Sequence, residues 1–224
     1  MLSFNDIKKN DKIYLYAGDL KQWNTITLEE RFRLTKKNWI GLTLPIYGNG
    51  KGSYDNNHIY CDITKPIPLQ DNCVDIFQSE DVHEHIEEEY LLNSINEIYR
   101  ILKPNGLFRL SLPDYNCDIL YDRTEKYING ELKFDKAGGG FFDISRNKVM
   151  GNGHVWFPTY DKVNTLLNSS NFKNITYLHY YTNKKNFYLN KIDHSLGFVK
   201  RTPDFDIRVK NPDRPMSLVV DCYK

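Results

Sequence analysis

The stretch Asp71-Asn72-Cys73-Val74-Asp75-Ile76-Phe77-Gln78-Ser79-Glu80-Asp81-Val82-His83-Glu84-His85-Ile86 is followed by Arg100-Ile101-Leu102-Lys103-Pro104-Asn105-Gly106 and then by Leu112-Pro113-Asp114-Tyr115. Val74, Ile76 and Phe77 form a short run of β-branched and aromatic residues, which predicts a buried strand over 74–77. A second apolar run, over 107–112, is interrupted by Arg109 and Ser111. Between them Tyr90, Leu91, Ile95, Ile98, Tyr99 and Leu102 recur at helical spacing on one face. Pro104 cannot continue a helix and Gly106 accepts a left-handed turn, so the helix stops there. Strand, helix and strand in this order predict a parallel pair joined by a right-handed crossover. In open α/β sheets a ligand lies beyond the carboxyl ends of the strands. Those ends are 78–85 and 113–115, both dense in titratable groups.

Outward from this unit, 12–17 reads as a first strand ending in the turn Gly18-Asp19. A helix is expected over 27–37, with Thr27 and Glu30 as a capping box and Leu28, Phe32 and Leu34 facing inward. Strands are expected over 38–44 and 58–61. The glycines Gly48, Gly50 and Gly52 lie in a loop with no helix after it, so a surface turn is preferred to a phosphate loop. Beyond Tyr115, the residues Ile119, Leu120, Arg123 and Tyr127 suggest a helix. The glycines of 138–140 and 151–153, beside His154, Trp156 and Phe157, suggest a shaped loop rather than regular structure. A loop this long inside a compact domain is usually functional. A helix over 159–169 and strands over 174–181 and 215–223 close the chain. The insert 182–214 carries His194, Arg201, Asp204, Asp206 and Arg208, read as a solvated loop with local ion pairs in preference to a pocket lining.

Six pieces occur in register between Asp62 and Gly106: Asp62, Ile67-Pro68-Leu69, Asp71, Val74-Asp75, Glu84-His85 and Arg100-Ile101-Leu102-Lys103-Pro104-Asn105-Gly106. Together they resemble the class I S-adenosylmethionine (SAM)-dependent methyltransferases of the methyltransferase type 11 kind. The resemblance implies an α/β, Rossmann-like, doubly wound and mostly parallel seven-stranded sheet. It would carry an antiparallel edge strand and helices on both faces. One domain is expected over 1–224, with acceptor-side insertions at about 116–158 and 182–214. The implied cofactor is S-adenosyl-L-methionine, held by Tyr16, Ala17, Gly18, Asp19, Thr43, Asp62, Ile63, Ser79 and Glu80. Two positions depart from the family's pattern. Gly18 stands alone where the family carries two or three glycines, and Thr43 takes the place of the acidic residue that receives the ribose hydroxyls.

Methyl transfer from a sulfonium is an in-line displacement, and a hydroxyl acceptor must also lose a proton. A base titrating near neutrality favours histidine, and the resemblance puts the active site at His154, His85 and His83, with Asp114 to orient a histidine or accept from substrate. In an extended loop His83 would share a side with His85. His83 and His85 with Asp81, Glu84 and Asp114 also have the composition of a divalent-metal site; hydrogen-bonded structure is preferred, and no metal ligand is assigned. The segments 108–115 and 217–220 resemble small methyltransferases of glycan assembly in bacteria and large viruses. That likeness implies O-methylation of a sugar hydroxyl, with a glycosyltransferase as working partner. The alternatives are a catalytically inactive methyltransferase-like binding module and, less favoured, a metal-dependent hydrolase.

Composition sets outer limits. A chain of 224 residues with a net charge of +1 has ample length for one core, and its balance argues against a nucleic-acid partner. Cys61, Cys73, Cys117 and Cys222 lack metal-type spacing and read as free thiols. No apolar run reaches a membrane span and the first residues are unlike a signal peptide, so a soluble, cytoplasmic protein is expected.

Overall fold

The structure is a computed structural model and describes residues 3–17, 33–44 and 58–224. The turn at Gly18 and Asp19, the proposed capping box of Thr27 and Glu30 with Leu28 and Phe32, and the loop 47–57 lie outside the described residues.

Eight strands make the central sheet: β1 (Tyr14–Ala17), β2 (Trp39–Thr43), β3 (His58–Tyr60), β4 (Val74–Glu80), β5 (Leu102–Pro113), β10 (Asn174–Tyr181), β11 (Phe187–Leu189) and β12 (Ser217–Tyr223). Their order is β11-β10-β12-β5-β4-β1-β2-β3. The five from β3 to β5 are parallel. β12 runs antiparallel to β5, β10 to β12, and β11 to β10. The expected doubly wound, mostly parallel sheet with an antiparallel closing pair is therefore present. The expected seven strands become eight because the insert 182–214 is not all loop: Phe187–Leu189 folds back and pairs with the edge of β10.

The described residues include the helices α1 (Phe4–Ile7), α2 (Glu88–Ile101), α3 (Asp118–Arg123) and α4 (Tyr160–Asn168), and residues 33–35 are helical as well. No helix among these residues is long and apolar enough to cross a membrane. The apolar stripe of α2 (Leu91, Ile95, Ile98, Ile101) joins Val163 and Leu167 of α4. Both pack on Phe77, Phe108, Leu110, Leu218 and Val220 of the sheet. Each of these fully buried side chains contributes roughly 1.5–3 kcal/mol. Tyr90 departs from the expected stripe and is exposed, with Lys65 Nζ 5.5 Å from its ring centre. Leu34, expected inward, is also exposed; its neighbour Thr35 is buried instead and accepts a hydrogen bond from Trp39 Nε1 at 2.9 Å. After α2 the left-handed residue is Asn105 (φ 63°), not Gly106. Gly106 is needed for space, because a Cβ there would stand 2.8 Å from the Lys103 carbonyl oxygen.

The matching pieces have structural reasons. Arg100 donates to the carbonyls of Ile67 and Leu69 (both 2.9 Å) and to Asp71 (2.7 Å), so the guanidinium ties α2 to the 67–71 loop. Glu97 accepts from Arg100 and from the Ile67 amide, completing the clamp. Asp75 accepts from the Ile13 amide at 2.9 Å and from Lys103 Nζ at 2.7 Å, joining the starts of β1 and β5.

The opposite face of the sheet is covered by the insert. Leu196 packs on Tyr16, Trp39, Ile76 and Leu107, while Ile192 and Val199 pack on Val219. Gln78 and Arg109, polar interruptions in apolar strands, hold this cover down. Gln78 Nε2 donates to the Phe198 carbonyl, and Arg109 Nη1 donates to the carbonyls of Asp193 (2.8 Å) and Gly197 (2.6 Å). The segment 116–158 also has more order than its glycines suggested. It forms α3, ending at Arg123 before Tyr127, and two ribbons: β6 (Glu125–Lys126) with β7 (Leu132–Phe134), and β8 (Phe141–Asp143) with β9 (Lys148–Met150).

Candidate active site

Beyond β4 the chain takes Asp81 in a left-handed conformation (φ 56°) and then coils into a 3-10 turn at His83–His85. The expected extended loop is absent, because the amides of His85 and Ile86 bond back to the carbonyls of Val82 and His83. The turn separates the two histidines. His83 points into the core, where Nδ1 lies 2.7 Å from Ser79 Oγ and Nε2 lies 3.5 Å from Ser94 Oγ. Burial lowers its pKa to about 4. His83 therefore does not share a side with His85, and it acts as a core histidine held between two serines.

Residues 151–157 dock onto this turn. The Val155 amide donates to the Glu84 carbonyl at 2.9 Å and Trp156 Nε1 to the His83 carbonyl at 2.8 Å. His154 is delivered beside His85, their ring centroids 4.7 Å apart. Glycine is required for this approach: a Cβ on Gly138 would stand 2.7 Å from the His154 ring. His154 Nδ1 is hydrogen-bonded to Tyr115 OH, and Tyr115 OH donates to Asp135 at 2.8 Å. Asp135 in turn accepts from Arg123 at 2.6 Å. Since the phenolic proton goes to Asp135, His154 Nδ1 carries the proton that Tyr115 accepts. Its Nε2 is left with a lone pair, 3.7 Å from Glu84 Oε1.

His85 is arranged in the same way. Nδ1 faces the carbonyls of Asn152 (3.0 Å) and Gly153 (3.1 Å), so it must donate, and the Nε2 lone pair lies 4.0 Å from the same Glu84 oxygen. Glu84 is fully buried, and neither carboxylate oxygen has a hydrogen-bond partner among the described residues. Burial, reinforced by Asp81, raises its pKa well above the usual carboxylate range. Burial lowers the pKa of His85 and takes that of His154 down to about 2, so both rings are neutral near pH 7. Arg201 pairs with Asp81 at 3.0 Å, and that carboxylate, with Glu84 and Glu80, keeps it protonated.

Asp114 does not join the cluster. Its oxygens accept from the amides of Asn116 (3.0 Å) and Tyr181 (2.8 Å), tying the end of β5 to β10. Burial outweighs these amides and raises its pKa to about 6. The folded protein therefore keeps a proton on Asp114 that the unfolded chain loses near pH 4. The stability this group confers falls as pH rises from about 4 to about 6, by roughly 3 kcal/mol in all. Relative to wild type, Asp114→Asn should gain about that much stability between pH 4 and pH 7 in urea unfolding. A pH-independent difference would show that the carboxyl titrates normally.

The set proposed for a metal is likewise broken up. Asp81 goes to Arg201, His83 to the core and Asp114 to backbone amides, while Glu84 and His85 remain together and His154 joins them. Tyr115, Asp135 and Arg123 were not candidates from sequence; they carry no motif, and only folding brings them behind His154. Of the other insert charges, His194 pairs with Asp204 and Arg208 with Asp206, as local pairs.

The expected cofactor residues lie along the carboxyl edge of the sheet. Ala17 ends β1, between β2 and β4, where strand order reverses. Tyr16 points to the other face, against Trp39. Thr43 ends β2, buried, and its Oγ1 has no hydrogen-bond partner among the described residues. Asp62 is exposed after β3 and accepts from Thr64 Oγ1 at 2.7 Å through Oδ1, beside the buried Ile63. Ser79 is engaged with His83, and Glu80 Oε1 accepts from the Lys200 amide at 2.8 Å, so both serve the turn and the insert.

Residues 48–110 match the family described as "Methyltransferase domain". The chain is 29% identical over 120 residues to a tRNA N(3)-cytidine methyltransferase of Bos taurus, covering 53% of this chain and 28% of that protein. The chain thus spans little more than a quarter of the length of that curated relative. Among solved structures, it is similar to a SAM-dependent methyltransferase of Methanosarcina mazei, with 10% identity, TM-score 0.52 and coverage of 100% and 98% of the two chains. A SAM-dependent methyltransferase of Archaeoglobus fulgidus gives 15% identity, TM-score 0.50 and coverage of 99% and 90%. The fold is that of the SAM-dependent methyltransferases. On such a sheet the Glu84–His85–His154 cluster lies beyond the carboxyl ends of β4 and β5, on the side where ligands of open α/β sheets bind.

Proposed function

We propose that the protein is a SAM-dependent methyltransferase and that its acceptor is a hydroxyl group, on a sugar, presented to the cluster of Glu84, His85 and His154. Bound SAM supplies an electrophilic methyl group. The observation that carries the reading is the placement of two neutral imidazoles with free Nε2 lone pairs beyond the strand ends of a methyltransferase fold. A hydroxyl there can donate a hydrogen bond to these lone pairs, which fixes the direction of its oxygen toward the methyl group. Thr43 Oγ1, a buried hydroxyl without a partner among the described residues, fits a ribose hydroxyl. Asp62 and Ile63 fit the adenine, and the backbone at Ala17 lies at the switch point. The near-neutral charge and the 16 tyrosines and 12 phenylalanines favour a small ring-shaped acceptor over a polyanion. A glycosyltransferase acting on the same glycan is the partner this reading implies.

Calorimetry with S-adenosylhomocysteine tests the reading. One site per chain is expected, weakened about threefold to tenfold in Thr43→Val, the worth of one hydrogen bond. No heat at millimolar ligand would overturn it. Binding without label transfer from methyl-labelled SAM to sugar hydroxyls would leave a non-catalytic binding module.

A further inference from the structure

Glu84 Oε1, His85 Nε2 and His154 Nε2 face one another. His85 Nε2 and His154 Nε2 lie 4.0 and 3.7 Å from Glu84 Oε1, and one ligand atom from each of the three residues lies within 4.8 Å of the others. Both imidazoles have their Nδ1 protons committed elsewhere, to the carbonyls of Asn152 and Gly153 and to Tyr115. Glu84 is buried, and neither of its oxygens has a hydrogen-bond partner among the described residues. Lone pairs pointed at one another need something positive between them; a proton on Glu84 fills that place in the metal-free protein, and a metal ion would displace it. Arg201 adds positive charge nearby, but its ion pair is with Asp81 at 3.0 Å and it makes no hydrogen bond to Glu84.

We propose that Glu84, His85 and His154 hold a divalent first-row metal ion such as zinc, iron or manganese, through one carboxylate oxygen and the two Nε2 atoms. Metal–ligand bonds of about 2.0–2.2 Å place two ligands about 3–4 Å apart, close to the separations seen. Two imidazoles and one carboxylate suit these ions better than calcium or magnesium. The second shell is already built: each ligating ring donates its other N–H, one to backbone carbonyls and one to Tyr115, which is backed by Asp135 and Arg123. Three protein ligands leave coordination positions open on the half-exposed side of His85.

The site deepens the methyltransferase reading and rests on it for its role. A hydroxyl oxygen bound at an open position loses its proton to water more readily, because the ion stabilises the alkoxide. The alkoxide oxygen then forms the new C–O bond as the sulfonium C–S bond breaks and its electron pair returns to sulfur. The two Nε2 lone pairs are then ligands, and the hydroxyl proton goes to solvent.

The test is titration of the metal-stripped full chain with cobalt(II), read by its visible d–d absorption and by competition with zinc. One equivalent with an absorption band is expected. His85→Ala and Glu84→Gln should weaken binding by tenfold or more, and His194→Ala should not change it. Tyr115→Phe keeps all three ligands, guards against a folding failure, and should weaken binding about tenfold through the second shell. No stoichiometric binding by the wild type, or equal binding by wild type, His85→Ala and Tyr115→Phe, would overturn the proposal. S-adenosylhomocysteine binding without metal binding would sink the metal site alone. Metal binding without S-adenosylhomocysteine binding would sink the methyltransferase reading alone.

Discussion

Arg109→Met is expected to destabilise the protein by about 3–5 kcal/mol, the cost of leaving a buried charge without its partner. Arg109 is fully buried at the centre of the sheet and grips Asp221 with two bonds of 2.7 Å each, from Nε and Nη2. Its remaining nitrogen holds the carbonyls of Asp193 and Gly197, so one side chain fastens the insert to β5 and β12. Methionine fills much of the volume but leaves the Asp221 carboxylate and two carbonyls unsatisfied. Equilibrium urea unfolding of both proteins measures the difference. The double variant Arg109→Met with Asp221→Leu should recover a large part of the loss, because it removes the stranded charge. A loss below about 1 kcal/mol in the single variant would show that water reaches the pair.

His85→Ala should lower turnover by about 10²–10⁴-fold, the range for a positioned acid–base or metal-activating group. Affinity for S-adenosylhomocysteine should stay within about twofold, because His85 is not among the expected cofactor contacts, and those at the end of β4, Ser79 and Glu80, are engaged with His83 and Lys200. The split between the two readouts is the informative result. Steady-state kinetics with calorimetry supplies both, and unchanged turnover would remove His85 from the reaction. His83→Asn gives the contrast. It disturbs a core hydrogen bond to Ser79, so it should lower the melting temperature while the folded fraction keeps its turnover.

The β-α-β unit at 74–113 was legible because its signals are local. Periodicity of two and of 3.6 residues, with Pro104 as a stop, is written in neighbouring residues. The closing helix and strands, Tyr160–Asn168, Asn174–Tyr181 and Ser217–Tyr223, lie where their patterns place them for the same reason. The eighth strand was hidden because Phe187, Tyr188 and Leu189 are all exposed at a sheet edge and show no alternation. Gln78 and Arg109 looked like flaws in buried strands. They are donors whose acceptors lie 84 to 120 residues further along.

The sequence by itself determined the β-α-β unit, the parallel direction of its two strands and the end at which a ligand belongs, since these follow from local pattern and chain handedness, while the rest of the sheet was implied by the family resemblance. It also put His85 and His154 among the candidates. Only the tertiary structure decided which histidine joins the cluster with Glu84 and His154. A 3-10 turn rotates His83 into the core and leaves His85 outside, and the spacing of the two gives no sign of this. Tertiary structure also set Tyr115, Asp135 and Arg123 behind His154, fixing its proton on Nδ1 and aiming its lone pair at Glu84. Contacts between residues so far apart in the chain depend on where the elements pack, and no local pattern encodes them.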